Sequence, residues 1–134
     1  MSHCFPVRIF YEDTDMAGIV YYANYLKYIE RARSDIVEQL GLDQRAMRAD
    51  DIVFVITRVE ADYLGSARFG DRLEVQTTHH AKGAVRWIFD QDVLLAGKVI
   101  FRAKVTAVCM TTAGKPTRLP AKLRSTLLVQ AEKS

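Results

Sequence analysis

The chain has 134 residues, with 19 Lys and Arg against 16 Asp and Glu and 49% apolar residues. A chain of this length buries roughly two-thirds of its unfolded surface, so one ordinary domain spanning 1–134 can close its core without disulfides or a metal. Cys4 and Cys109 sit in apolar, strand-like stretches without partner spacing and read as buried thiols of a reducing compartment, and MSHCFPVRIF carries no signal-peptide pattern, so a cytoplasmic protein with no transmembrane segment is expected.

Charge is unevenly spread. Residues 1–67 hold seven basic and eleven acidic residues (net −4), and residues 68–134 hold twelve and five (net +7). A basic second half suits a phosphate-bearing ligand or an acidic partner. Its cations are single positions without interleaved aromatics, which argues against nucleic acid.

In chain order, Phe5, Val7, Ile9 and Tyr11 alternate as in a half-buried strand. From Asn24 the period becomes helical through Tyr25, Leu26, Ile29, Ala32, Ile36, Val37 and Leu40. Asn24 is the expected cap and Gly41 the expected left-handed terminator. Lys27, Glu30, Arg31, Arg33, Asp35 and Glu38 are expected on the solvated face, with Arg31 and Asp35 as an i,i+4 pair.

DQRAMRADD reads as a polar connection, after which period-two patterns predict strands over 52–64, 69–77, 84–95 and 98–110. Their odd positions, such as Val53, Val55, Thr57 and Val59 in the first, are expected to form the apolar face. AKGA and LAGK supply glycine turns. The whole is α+β: one long helix covering a five-stranded antiparallel sheet. After Pro120, Leu123, Leu127 and Leu128 are spaced for a short closing helix.

Chemistry gathers between the first strand and the helix. Glu12, Asp13 and Asp15 crowd a segment where Ala17 and Gly18 allow a close turn. Crowded, partly buried carboxylates make candidate bases or nucleophiles. The helix start adds unpaired N–H groups and the positive end of its dipole, which favour developing charge on a carbonyl oxygen. The commoner role of such an Asp is an Asx-turn, and the local sequence alone favours that role. His79 and His80 are adjacent on a strand and point to opposite faces, so they cannot jointly grip a metal. No cofactor motif is present.

YEDTDMAGIVYYANYLKYIERARSDIVEQLG, with ARFGDRLEV and VTAVCMTTAGKPTRLP, resembles hotdog-fold acyl-CoA thioesterases of the 4-hydroxybenzoyl-CoA thioesterase family, particularly the Tol-Pal-associated branch. The resemblance covers nearly the whole chain. It implies hydrolysis of an acyl-CoA to free acid and CoA, without metal or organic cofactor. The catalytic aspartate of that family falls on Asp15, as nucleophile or general base, and its backbone oxyanion donor on Tyr22, where several members of the branch carry histidine. Tyr11 matches a tyrosine near the active site, and Gly18 belongs to the same segment. The resemblance also implies a homo-oligomer, a dimer or a tetramer of dimers, with sites at subunit interfaces. Lys82 and Arg86 are the residues expected to meet the CoA phosphates. The alternative is a binding module for acyl carrier protein or a cell-envelope complex, with vestigial hydrolysis.

Overall fold

The structure is a computed structural model; it describes residues 2–121, 123 and 124. Five antiparallel strands form one sheet in the order β1-β3-β4-β5-β2: β1 (His3–Arg8), β2 (Val53–Tyr63), β3 (Arg72–Lys82), β4 (Arg86–Leu95) and β5 (Lys98–Met110). Helix α1 (Asn24–Gln39) lies across one face, and a short helix α2 (Gln44–Ala49) follows it. This is the expected α+β architecture.

The 3.6-residue stripe buries Tyr25, Tyr28, Ile29, Ala32, Ile36 and Val37 against the sheet. Each buried aliphatic side chain of that stripe contributes roughly 1.5–3 kcal/mol. Facing them are the odd positions of three strands: Leu73 and Val75 of β3, Trp87, Phe89 and Val93 of β4, and Phe101, Val105 and Cys109 of β5. Helix α1 ends as expected. Gly41 has φ +74°, the Gly41 amide donates to Glu38 O, and the Leu42 amide donates to Val37 O, which closes a Schellman motif.

Several local expectations change. Asn24 is the first helical residue rather than a cap; its side chain donates at 2.9 Å to the carbonyl of Asp13, tying the helix start to the acidic segment. Arg33 turns inward, donating at 2.9 Å to Gln91, whose amide donates to Ile29 O and Thr77 Oγ1. Asp35 meets His3 of β1 at 2.6 Å instead of Arg31, whose guanidinium lies over the Tyr28 ring. The connection DQRAMRADD contains α2, capped by the Asp43 carboxylate on the amides of Arg45 and Ala46. Cys109 is buried as expected, but Cys4 is exposed, and both thiols are free.

The two sheet edges differ. β1 is six residues long and carries Pro6, a poor template for further pairing. β2 is eleven residues long, and from Val55 onward every residue is exposed. Its register shifts between Ile56 and Arg58, a bulge at Thr57. Before the bulge the even residues Phe54 and Ile56 face the helix side, opposite Cys109 and Ala107; after it the odd residues Val59, Ala61 and Tyr63 do, opposite Val105, Ala103 and Phe101. The expectation that Val53, Val55 and Thr57 share the inner face with Val59 is therefore corrected. One extra residue moved them to the other side.

At the C-terminal end, Leu123 is buried and the Arg124 amide donates to Pro120 O, the start of the expected closing turn; Leu127 and Leu128 lie outside the described residues.

Candidate active site

β1 ends at Arg8, and the chain then makes a 3-10 turn over Tyr11–Asp13. Asp13 organises this turn. Its carboxylate accepts the Phe10 amide at 2.7 Å, and its carbonyl accepts both the Tyr21 amide and the Asn24 side chain. A small hairpin follows, with Thr14 bridging Val20 and the Asp15 amide donating at 2.9 Å to Ile19 O. Ile19 in turn bridges Arg68, and the Val20 amide donates to Ala67 O, so the hairpin is braced by the segment before β3.

Asp15 stands at the tip of this hairpin. Its Oδ1 accepts the Ala17 amide at 2.9 Å and its carbonyl accepts the Gly18 amide at 3.0 Å. This is the Asx-turn anticipated from sequence. The turn closes through Gly18 at φ +80°, a left-handed conformation that costs a side-chain-bearing residue about 1–2 kcal/mol. The Asx-turn occupies one carboxylate oxygen only. Oδ2 has no partner among the described residues, and the side chain is exposed. Turn formation and chemistry are thus compatible in one residue.

The hairpin delivers the chain to α1. The amides of Tyr22 and Ala23 have no acceptor among the described residues. They sit where the helix dipole is positive. The Tyr21 and Tyr22 rings lie 4.9 Å apart between centroids, and the Tyr21 hydroxyl is pushed above its ordinary range, first by its hydrogen bond to Tyr22. Tyr63 at the end of β2 donates to the Tyr22 carbonyl at 3.2 Å. Tyr25 is buried, stacked on Phe101 at 5.2 Å with its hydroxyl accepting the Ala67 amide, so it packs the floor below the site.

Tyr11, Asp15, Gly18 and Tyr22 are therefore brought together on one loop and helix start. Around them lie exposed apolar side chains: Met16, Tyr11, Tyr22, Leu64 and Phe69, with Tyr11 and Phe69 in edge contact at 6.3 Å. Such a rim is unusual on a solvated surface and suits an apolar ligand or a second chain. Leu64 and Phe69 were not anticipated as site residues: Leu64 falls at an even, outward position of the strand pattern, and Phe69 was expected on the apolar face of a strand beginning at 69, whereas β3 begins at Arg72 and leaves Phe69 exposed before it.

Lys82 and Arg86 are not part of this cluster. They pair across the β3–β4 turn, at the opposite end of the sheet and on the face away from α1. Nine residues of β3 separate Lys82 from Leu73 at the site end, about 30 Å at the rise of a strand. Among the described residues, no cluster of His, Cys, Asp or Glu is arranged to hold a metal, and no helix is long and apolar enough to cross a membrane.

An acid at the tip of a β-to-helix hairpin, beside free amides at the start of a helix clasped by a sheet, defines a candidate acyl-transfer centre. Comparisons with known proteins identify the family. The family model described as the Thioesterase-like superfamily matches residues 11–127. The acyl-CoA thioester hydrolase YbgC of Escherichia coli is 35% identical over 117 residues, covering 86% of this chain and 87% of that protein. A probable thioesterase from Bartonella henselae superimposes with a TM-score of 0.82 at 29% identity, over 90% of this chain and 100% of that one. The 1,4-dihydroxy-2-naphthoyl-CoA thioesterase from Synechocystis gives a TM-score of 0.89 over 96% of both chains; at 23% identity it speaks for the fold. The chain belongs to the thioesterase-like superfamily and has the hotdog fold. It is a thioester hydrolase.

Proposed function

We propose that the chain hydrolyses the thioester of an acyl-CoA, short- to medium-chain or aromatic, to the free acid and CoA, with Asp15 as the reacting carboxylate. The observation that carries this reading is the half-satisfied Asp15: Oδ1 is fixed by the Ala17 amide, Oδ2 is open, and unpaired amides stand at the adjacent helix start. Two routes fit. As a base, Asp15 takes a proton from water as the oxygen attacks the thioester carbon. As a nucleophile, its oxygen attacks directly to give a mixed anhydride that water then cleaves. In either, negative charge builds on the carbonyl oxygen, the Tyr22 amide is the proposed donor to it, and the C–S bond breaks with the electron pair leaving on sulfur. Because the proposed donor is a main-chain group, the tyrosine side chain here in place of histidine leaves the route open.

The site needs a second copy in this reading. Val59, Ala61 and Tyr63 on the inner face of β2 are exposed beside a free edge strand. Pairing of β2 with β2 of another copy would extend the sheet and cover these residues, closing the Asp15 cleft at the interface. A dimer, with tetramers built from it, is the proposed assembly, each chain contributing residues 1–134 as one domain. Tyr11, four residues before Asp15 in YEDTD, supports placement in the Tol-Pal-associated branch and a wall of the acyl pocket, with Gly18 shaping the turn. A CoA substrate implies the cytoplasm. Acyl carrier protein is the second proposed acyl donor, supported by the basic second half of the chain.

The test is a panel of acyl-CoA esters of graded chain length, with aromatic members, followed by thiol release. Turnover of at least one supports the reading; none from any member, with tight binding of acyl carrier protein, would replace it with the binding-module alternative.

A further inference from the structure

Helix α1 begins without a side-chain cap: Ala23 stands at the cap position and makes no side-chain bond to the first amides of the helix. A Ser, Thr, Asp or Asn there would satisfy one of those amides, so the helix forgoes a common source of stability. An asparagine does stand one residue further on, yet it does not serve the helix. Asn24 is only 9% exposed, and its side-chain amide turns back to donate at 2.9 Å to the carbonyl of Asp13.

That bond closes a triangle around Tyr21. The Tyr21 amide donates at 2.9 Å to the Asp13 carbonyl, the Tyr21 carbonyl accepts the Asn24 amide at 2.9 Å, and the Asn24 side chain returns to Asp13. Tyr21 is thereby held at both of its peptide groups. In a planar trans peptide the C=O and the following N–H point in opposite directions. With the Tyr21 carbonyl drawn toward Asn24, the Tyr22 N–H of the same peptide is turned out of the helix start, where it has no acceptor among the described residues. The opposite corner of the triangle, Asp13, precedes Asp15 on one arm of the hairpin. That arm is stiffened by the Thr14–Val20 bridge and by the Asp15 amide on Ile19 O. The Asn24 side chain thus spans the arm that carries the open carboxylate and the turn that carries the open amide.

We propose that Asn24 is a positioning residue for the thioester reaction, its side-chain bond to the Asp13 carbonyl fixing the distance and direction of the Tyr22 N–H relative to the Asp15 carboxylate. This role rests on the thioesterase reading above and adds to it the part that sets the geometry of the site. Asn24 touches no reacting atom. The reacting centre must meet Asp15 on one side and the Tyr22 amide at its oxyanion at the same moment, and catalysis falls steeply when either is misplaced. Stability alone does not require the bond. Without the Asn24 donor the Asp13 carbonyl still accepts the Tyr21 amide, so no buried acceptor is orphaned. A small change in stability with a large loss of turnover is therefore the expected signature.

The experiment compares the full chain with Asn24→Ala, Asn24→Asp and Ile36→Val. Ile36→Val trims the buried far part of α1 and controls for lost stability. With the best acyl-CoA ester, Asn24→Ala lowers kcat at least about tenfold with KM within about twofold, whereas Ile36→Val keeps kcat within about twofold at a similar melting temperature. Asn24→Asp, of the same size, sets a carboxylate against the Asp13 carbonyl and loses at least as much; it supplies the comparison should Asn24→Ala fail to fold. The second readout is the binding of two unreactive analogues, the CoA thioether of the same acyl chain and its trifluoromethyl ketone, whose hydrate resembles the tetrahedral intermediate. Asn24→Ala weakens the ketone at least about tenfold and the thioether less than about twofold. An unchanged kcat in folded Asn24 variants, or equal losses for both analogues, overturns the positioning role and leaves the thioesterase reading intact. A parent that turns over no acyl-CoA removes that reading and this role with it.

Discussion

The hydroxyl of Tyr63, the last residue of β2, donates at 3.2 Å to the main-chain carbonyl of Tyr22, two residues before the start of α1. This bond joins the free edge of the sheet to the carbonyl of Tyr22, the residue whose own N–H, in the preceding peptide, has no acceptor among the described residues and is the proposed oxyanion donor. The bond is exposed, so its net worth in stability is at most about 1 kcal/mol. Its value lies in orientation. Tyr63→Phe should lower kcat about three- to tenfold with little change in KM and a melting shift of only a few degrees, measured by steady-state kinetics and calorimetry. An unchanged kcat would show that this peptide needs no anchor.

Gln91 is the buried polar link between helix and sheet, donating to Ile29 O and Thr77 Oγ1 and accepting from Arg33. Gln91→Leu would keep the volume but strand the guanidinium of Arg33, already held below its ordinary range by burial. A loss of about 2–4 kcal/mol is expected in denaturant unfolding, with Arg33→Met on the Leu background recovering part of it.

Much of this architecture was legible in the chain. The stripe from Tyr25 to Val37 and the odd positions of β3, β4 and β5 carried clean periods because each element buries one face, and periodicity reports burial. What escaped had a different cause each time. Val53 to Tyr63 is apolar at both parities near Ile56, so the bulge at Thr57 left no mark in the pattern. Arg33 is polar by identity but inward by position, since Gln91 waits under it. The helix α2 is too short and polar to show a stripe, so its Asp43 cap was passed over as part of a polar connection. Asp15 was readable as a turn-former from local chemistry, and only the family resemblance singled it out for reaction. The separation of Lys82 and Arg86 from Asp15 depends on sheet order, which spacing along the chain does not encode.

His79 titrates on the inner face of β3. Its ring nitrogen accepts the Trp87 indole N–H at 3.1 Å, and burial, reinforced by the charges of His3, the amino terminus and His80, lowers its pKa to about 4. The ordinary value near 6.5 holds in the unfolded chain. The folded form therefore binds this proton less readily, and the contribution is full above about pH 6.5 and lost as pH falls from there to about 4. With its partial solvent screening the expected size is on the order of 1–2 kcal/mol, read as a fall in melting temperature over that window. His79→Gln should flatten that part of the profile, and an unchanged slope would assign it to the carboxylates instead.

Val59 lies on the inner face of β2, 42% exposed, beside the free edge. Val59→Arg places a charge in the proposed interface, where nothing on the opposite side is arranged to pair it. Light scattering should show a shift to monomer, and turnover should fall at least tenfold as the Asp15 cleft loses its second wall. A fully active monomer would place the complete site within one chain.

The central claim is that Asp15 does the chemistry while its neighbours Asp13 and Ala17 hold it in place. Asp15→Asn keeps an oxygen to accept the Ala17 amide and so preserves the turn, but it removes the basic, nucleophilic carboxylate. Thiol release from the best acyl-CoA ester, measured on Asp15→Asn beside the parent at matched folding and oligomeric state, is expected to fall at least about a hundredfold in kcat with KM within a few-fold, within the range such groups contribute. Turnover by Asp15→Asn comparable to the parent would contradict it.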